Sequence, residues 1–317
     1  MANITTSSNL PPAILQSCAD RLLSVPYPNL IHNFAAYKQT MRAQGGTTYR
    51  MTRYQRLPTA LTPLGNLGID PAPILPTKVD IDAKMSFYGQ VILVNEQTVL
   101  QNQEGVLTVL AELLGMSLRE TEDVLTRNML AATSTVINCV GGANGLMPTE
   151  PTLNDVSVAT QTLISNNAST ISEIIPGELR FGSSPVKNAF FGMASTDMSS
   201  TYQQVEGFVN VSQYPNQDRV LPTEWGTIQN LRILISSIGS STPFAASNGS
   251  TVYNTFITGM EGYSIIEQDR FSAKFIYRPA IYSGALAQNV SLGWKAGMVP
   301  RITNDQWVLN LRATQSF

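Results

Sequence analysis

The chain has 317 residues, 43% hydrophobic and only 13% charged, with 20 Lys and Arg against 22 Asp and Glu. That length and composition describe a globular chain able to bury one large core or two modest ones. A formal net charge of −2 excludes a global electrostatic footprint for nucleic acid. The absence of a long apolar run, or of a basic segment followed by an apolar one in MANITTSSNLPPAILQSC, points to a cytosolic product that spans no membrane.

The first informative residue is His32 in PNLIHNFAAY. It is the only histidine, so one chain cannot assemble a two-histidine metal site, and no GxSxG turn accompanies it. A packed histidine is expected, with no metal and no cofactor. Cys18 and Cys139 are the only cysteines, a poor basis for a disulfide framework.

Residues 45 to 64 read GGTTYRMTRYQRLPTALTPL. From Thr48 to Leu57 the spacing is that of a strand, with Tyr49, Met51, Arg53, Gln55 and Leu57 on one face and Arg50, Thr52, Tyr54 and Arg56 on the other. Neither face reads as a core face. Pro58, Pro63, Pro71, Pro73 and Pro76 then exclude helix and remove ladder donors. The next strand, KVDIDAKMSFYGQVILV, alternates Val79, Ile81, Ala83, Met85 and Phe87 with polar residues and so has a core face. A structureless connection of about twenty residues is uncommon in a compact domain, and an extended two-stranded arm fits better.

NQEGVLTVLAELLGMSLRETEDVLTRNMLAAT carries Val106, Leu110, Leu114, Leu118, Leu125 and Met129 at helical intervals. Its length, about thirty residues, predicts a rod of roughly 45 Å, loosened by Gly105 and Gly115. Glu120, Glu122 and Asp123 fall on its polar side. GGANG at 141 to 145 opens no helix and reads as a stop and turn rather than a phosphate loop. A second helix is expected over NDVSVATQTLISNN, with Asn154 as N-cap and Val156, Ala159, Leu163 and Ile164 as its stripe. From Ser169 to Gly284 short strands (NAFFGMAS, TIQNLRILIS, TVYNTFIT, KFIY) alternate with Gly, Ser and Asn clusters, a β-rich block. The chain ends in an expected hairpin, with Trp294, Ala296 and Met298 opposing Trp307, Leu309 and Leu311 across an Asn304-Asp305 turn.

Three segments carry a resemblance. A Y-x-x-L-P-x-A-L-T-P-L segment stands at Tyr54 to Leu64, a W-G-T-I-x-N-x-R strand at Trp225 to Arg232, preceded by Glu224, and a G-W-K…D-x-W-V-x-x-L ending at Gly293 to Leu311. In these the chain resembles the major capsid proteins of tailed bacteriophages, and is most similar to the branch from short-tailed phages that carry a virion RNA polymerase. The likeness spans nearly the whole chain and weakens between about Ser169 and Ser184 and across 236 to 250.

The resemblance implies an α+β Hong Kong 97-like fold: N-terminal arm and lead-in (1–44), extended hairpin loop (45–95), peripheral domain with a spine helix (96–168), axial domain (169–284) and a closing hairpin (285–317). It implies a shell protein of the virion, made in the bacterial host cytoplasm, that is no enzyme. Its partners would be copies of itself in hexamers and pentamers, a separate scaffolding protein, a portal and a decoration protein. Packaged double-stranded DNA would be held weakly and without sequence preference. No propeptide cleavage is expected. A cellular nanocompartment shell of the same fold is the alternative within the class.

In a shell the working groups are interface groups. Arg50, Arg53, Tyr54 and Arg56 are expected to meet Glu112, Glu120, Glu122 and Asp123 of a neighbouring copy, and the loop to pivot at Gly45, Gly46 and Gly89. On this basis reversing all three arginines to glutamate yields folded subunits that assemble poorly at low salt and recover as ionic strength rises. A nucleic-acid-binding module using the basic stretch 38–56, with Tyr37, Tyr49 and Tyr54 as stacking platforms, is the competing class; it expects normal shells that fail to retain DNA.

Overall fold

The computed structural model describes residues 27–43, 45–61, 72–95, 97, 106–171, 173–174, 181–182, 188–214, 221, 223–243, 246, 249–269, 271, 273–279 and 288–316. The expected arm before residue 27, Cys18, the loop tip with Pro63 and Pro71, and Gly105 lie outside these residues.

In chain order the strands are β1 (Tyr37–Met41), β2 (Thr48–Tyr54), β3 (Lys78–Lys84), β4 (Ser86–Asn95), β5 (Val136–Asn138), β6 (Glu173–Ile174), β7 (Phe181–Gly182), β8 (Phe190–Ser195), β9 (Phe208–Asn210), β10 (Glu224–Ile228), β11 (Leu231–Ser236), β12 (Ser241–Thr242), β13 (Val252–Thr258), β14 (Tyr263–Gln268), β15 (Lys274–Arg278), β16 (Asn289–Ile302) and β17 (Val308–Thr314). The helices are α1 (Val106–Ala131), α2 (Leu153–Ser165) and the short α3 (Ser199–Gln204).

Two larger sheets organise the molecule. In the first, of five strands, β16 is central: β4 and β15 lie against its first part, β14 against its last, and β1 runs parallel beside β14. The second, of eight strands, runs β5-β17-β13-β8-β11-β10-β9, with β12 beside β13. The apolar spacing of α1 explains how it joins them. Leu107, Ala111, Leu114, Leu118 and Leu125 pack on Leu292, Trp294, Ala296 and Met298 of the first sheet. One turn further on, Met129 and Leu130 reach Phe191 and Phe256 of the second.

Helix α2 covers the second sheet through Val156, Ala159 and Leu163, against Phe190, Ile257, Leu309 and Leu311. Its N-cap is Thr152, not Asn154, because the Thr152 hydroxyl and the Asp155 carboxylate bond each other's backbone N–H in a capping box. Ile164, expected in the stripe, turns away from it and is 55% exposed, because it lies one residue, or about 100°, beyond the buried Leu163. Asp155 does more than cap. Its fully buried carboxylate also accepts from the backbone N–H of Val140 (3.1 Å) and Gly142 (2.6 Å). Asp155→Ala strands these donors and is expected to cost about 2–4 kcal/mol, read from the denaturant midpoint.

The terminal strands are not a hairpin. β16 pairs only within the first sheet, and β17 pairs with β13 and β5 in the second. Two alternating strands either side of a turn can pair with each other or with other strands, and here long-range partners take both. Asn304 caps a short 3₁₀ turn between them instead. The boundaries drawn from sequence at 168 and 284 are crossed in the same way: α2 packs on the second sheet, whereas β14 and β15 pair into the first. GGANG makes a turn as expected, but it follows β5 rather than a helix.

Candidate subunit interface

β2 and β3 form a separate two-stranded antiparallel ribbon, as their alternation predicts. Register fixes what each face carries. Arg50 stands opposite Asp82, Thr52 opposite Asp80 and Tyr54 opposite Lys78, while the other face pairs Tyr49 with Ala83, Met51 with Ile81 and Arg53 with Val79. The second face is a core face at its base after all: Met51, Ala83 and Met85 are buried with Met41 and Ile266. Burial fades outward along it, so the ribbon leaves the body as it lengthens.

The first face is electrically self-contained. Arg50 donates to both Asp82 oxygens, from Nε at 2.6 Å and Nη2 at 2.9 Å, and Thr52 donates to Asp80 at 2.9 Å. Lys78 lies 3.2 Å from Asp80. The Arg50 guanidinium holds the Asp82 carboxyl below its ordinary range, and the Thr52 hydroxyl does the same for Asp80. Arg50, expected to reach a neighbour's acids, is thus engaged within its own hairpin. Arg53, Tyr54 and Arg56 are exposed, and neither Arg53 nor Arg56 has an ion pair among the described residues.

Beyond Tyr54 the two chains of the loop carry large apolar side chains into solvent: Leu57 at 54%, Leu61 at 87%, Ile74 at 57% and Leu75 at 88%. A second exposed apolar row lies on β4. Tyr88, Ile92 and Val94 face α1, so Phe87, Val91 and Leu93 point the other way, at 63%, 66% and 69% exposure. The strand beside them is paved with glycine: a Cβ on Gly293 would meet Val91, and one on Gly297 would meet the Phe87 ring at 2.8 Å. The sequence reading placed Phe87 on a core face, which its 63% exposure overturns, and missed Val91 and Leu93. Its signal was present, since FYGQVILV has apolar residues at both parities, as a strand with two apolar faces must.

The acidic residues of α1 divide. Glu112 is exposed and Glu120 half-buried, as an outer face requires. Asp123 is not on that face: it is fully buried, taking the His32 backbone N–H at 2.8 Å and lying 2.6 Å from His32 Nδ1. Tyr263 donates to the His32 carbonyl, and Thr126 donates to the Asn33 side chain, so the lead-in segment is clamped to the spine helix. The lone histidine is packed as expected, and Asp123 is its partner.

Burial, aided by the neighbouring Glu267, pushes the Glu122 carboxyl up to about 7 from its ordinary 4.5. Between those values the folded subunit holds a proton that the unfolded chain has released, so stability is greatest below the lower value and falls as pH rises toward the upper. Glu122→Gln is therefore expected to raise the melting temperature at pH 8 and flatten its dependence between about pH 5 and 7 in thermal scans.

Of the expected hinges, Gly46 adopts φ +86°, where a side chain is strained, beside Gly45 at the root of the ribbon. Gly89 is no hinge. It sits within the unbroken β4–β16 ladder opposite Lys295, and its missing Cβ lets the Trp294 carbonyl approach to 2.9 Å of that position. Among the described residues no cluster could hold a metal ion, and no helix is long and apolar enough to cross a membrane.

No protein-family model matches the chain, and no curated protein does. Solved structures do, over its full length. The capsid structure of cyanophage P-SCSP1u matches with a TM-score of 0.67 at 14% identity, covering 99% of this chain and 100% of that one. The capsid of Ralstonia phage GP4 gives 0.69 at 8% identity, with 100% and 99% covered. The head of Helicobacter pylori bacteriophage KHP40 gives 0.65 at 9%, with 100% and 98% covered. With its separate two-stranded loop, long helix on one sheet and second sheet beyond, the chain has the α+β Hong Kong 97-like fold of phage capsid subunits.

Proposed function

We propose that the chain is a major capsid protein whose copies close into hexamers and pentamers of an icosahedral phage head around double-stranded DNA, in the bacterial host cytoplasm. The observation that carries this is the pair of exposed apolar rows, one on the loop (Leu57, Leu61, Leu75) and one on β4 (Phe87, Val91, Leu93). A monomer gains nothing from displaying both. Different patches that fit each other on successive copies make a heterologous contact, which propagates into rings and lattices. The loop of one copy lies on the first sheet of the next, Arg53 and Arg56 reach the exposed Glu112 and the half-buried Glu120, and the loop pivots at Gly45 and Gly46 to suit five-fold and six-fold surroundings. The first sheet with α1 serves as the peripheral domain and the second as the axial one. A scaffolding protein, a portal and a decoration protein are its further partners. Sedimentation of the purified chain tests the assignment: concentration-dependent conversion to megadalton particles is expected, and a monomer at every concentration and in every salt contradicts it.

A further inference from the structure

Between Arg127 and Glu173 the chain carries only two charged residues, Glu150 and Asp155, in a protein whose overall charged share is 13%. Asp155 is buried, so this stretch presents a single charge to solvent. Only three large apolar side chains of the stretch are exposed among its described residues: Leu146 at 94%, Met147 at 52% and Ile164 at 55%.

The loop that bears Leu146 is tied from within. Asn138 donates its backbone N–H to the Asn144 side chain (3.0 Å) and its amide to the Gly145 carbonyl (2.8 Å), Thr149 donates to the Cys139 carbonyl (2.7 Å), and Asp155 holds Val140 and Gly142. Asn144 and Gly141 sit at positive φ, and Gly145 packs against Val140 where a Cβ would lie 2.8 Å from its methyl group. None of these bonds uses the Leu146 side chain. The backbone beneath Leu146 is thus ordered before docking, so only the freedom of its own side chain is left to lose.

From these observations we propose that Leu146 is an intersubunit knob that seats against Ile164 of the adjacent copy; this rests on the shell assignment and adds a contact that assignment does not need. Two features select another copy of this chain as the occupant. Where identical subunits converge on a rotation axis, every surface charge is repeated beside its own kind, and a stretch that itself contributes a single exposed charge, bordered by Asp305 and Glu261, limits that repulsion. The two apolar groups also stand at different ends of one element. Leu146 precedes the start of α2 and Ile164 lies in its last turn, and the helix from Leu153 to Ile164 rises about 16 Å. Patches so separated fit head to tail rather than about a two-fold axis, which is the geometry that closes rings.

Cysteine pairing tests this in a Cys18→Ser background; Cys139 does not compete, because burial pushes its thiol pKa up. Particles carrying Leu146→Cys with Ile164→Cys are expected to give, on mild oxidation, a non-reducing ladder reaching five and six copies, and each single variant only monomer. Covalent dimers from Leu146→Cys alone overturn the proposal, as do normal particles of the double variant without a ladder. Leu146→Ser adds a second readout: at least a tenfold loss of assembly rate with an unchanged unfolding midpoint is expected, and unchanged assembly overturns the contact. Should the parent chain form no particles, the shell assignment fails separately. Oxidation of the concentrated double variant then still reads the contact, a ladder supporting it and monomer overturning it.

Discussion

Serine in place of Leu57, Leu61 and Leu75 is expected to leave a soluble, folded subunit that does not close into shells. All three side chains stand in solvent, so their loss removes nothing from any core and the melting temperature should hold within a degree or so. At an interface, burying each leucine is worth about 1.5–3 kcal/mol, so three changes weaken every loop contact by a thousandfold or more. Light scattering follows assembly and circular dichroism follows folding; normal shells from this variant contradict the loop contact. Charge contributes less. Glutamate at Arg53 and Arg56 should slow assembly at low salt and recover with ionic strength. Arg50 belongs outside that test, because glutamate there would face Asp82 and Asp80 across its own ribbon and loosen the hairpin itself.

The second large effect is on stability. Glu224 and Arg232 form a buried ion pair on adjacent strands, the carboxylate also accepting from the Tyr214 hydroxyl (3.0 Å) and the Leu221 N–H (3.2 Å). The guanidinium lies 5.5 Å from the centre of the Phe191 ring. Arg232→Met leaves the carboxylate buried without its counter-charge, which costs about 3–5 kcal/mol and lowers the melting temperature by roughly 10 °C. Adding Glu224→Gln should recover part of the loss by removing the stranded charge. A melting temperature of Arg232→Met within about 2 °C of the parent contradicts the pair's structural role. Arg232 ends the W-G-T-I-x-N-x-R segment that carried the family resemblance and Glu224 immediately precedes it, which gives that motif a physical function in holding the second sheet.

Local patterns made much of this legible. Period-two spacing gave β2 and β3, short runs between Gly, Ser and Asn clusters gave β8 and β13, and helical spacing gave α1 and α2 to within a few residues; TIQNLRILIS, read as one strand, is instead the end of β10 and β11 joined by a turn with Gln229 at φ +52°. What stayed hidden depends on register and long-range pairing. Nothing near Arg50 announces that Asp82 will stand opposite it, because the partner is set by how the ribbon closes more than thirty residues away. Asp123 read as an outer-face acid because its neighbours Glu120 and Glu122 are acidic, yet the lone His32, distant in sequence, claims it. The terminal strands show the same gap: alternation is a property of one strand, whereas choice of sheet belongs to the whole fold. The exposed apolar rows were the least legible of all. Leucine in solution and leucine in a core look identical in sequence, and only the backbone path separates them.

The most direct measurement is a cryo-electron-microscopy reconstruction of particles assembled from the purified chain. Closed icosahedral shells are expected, with residues 55–61 and 72–77 of each copy lying across Phe87, Val91 and Leu93 of the next. Shells in which that row of β4 faces solvent, or a chain that yields no shells under any condition of salt and concentration, would contradict the central claim.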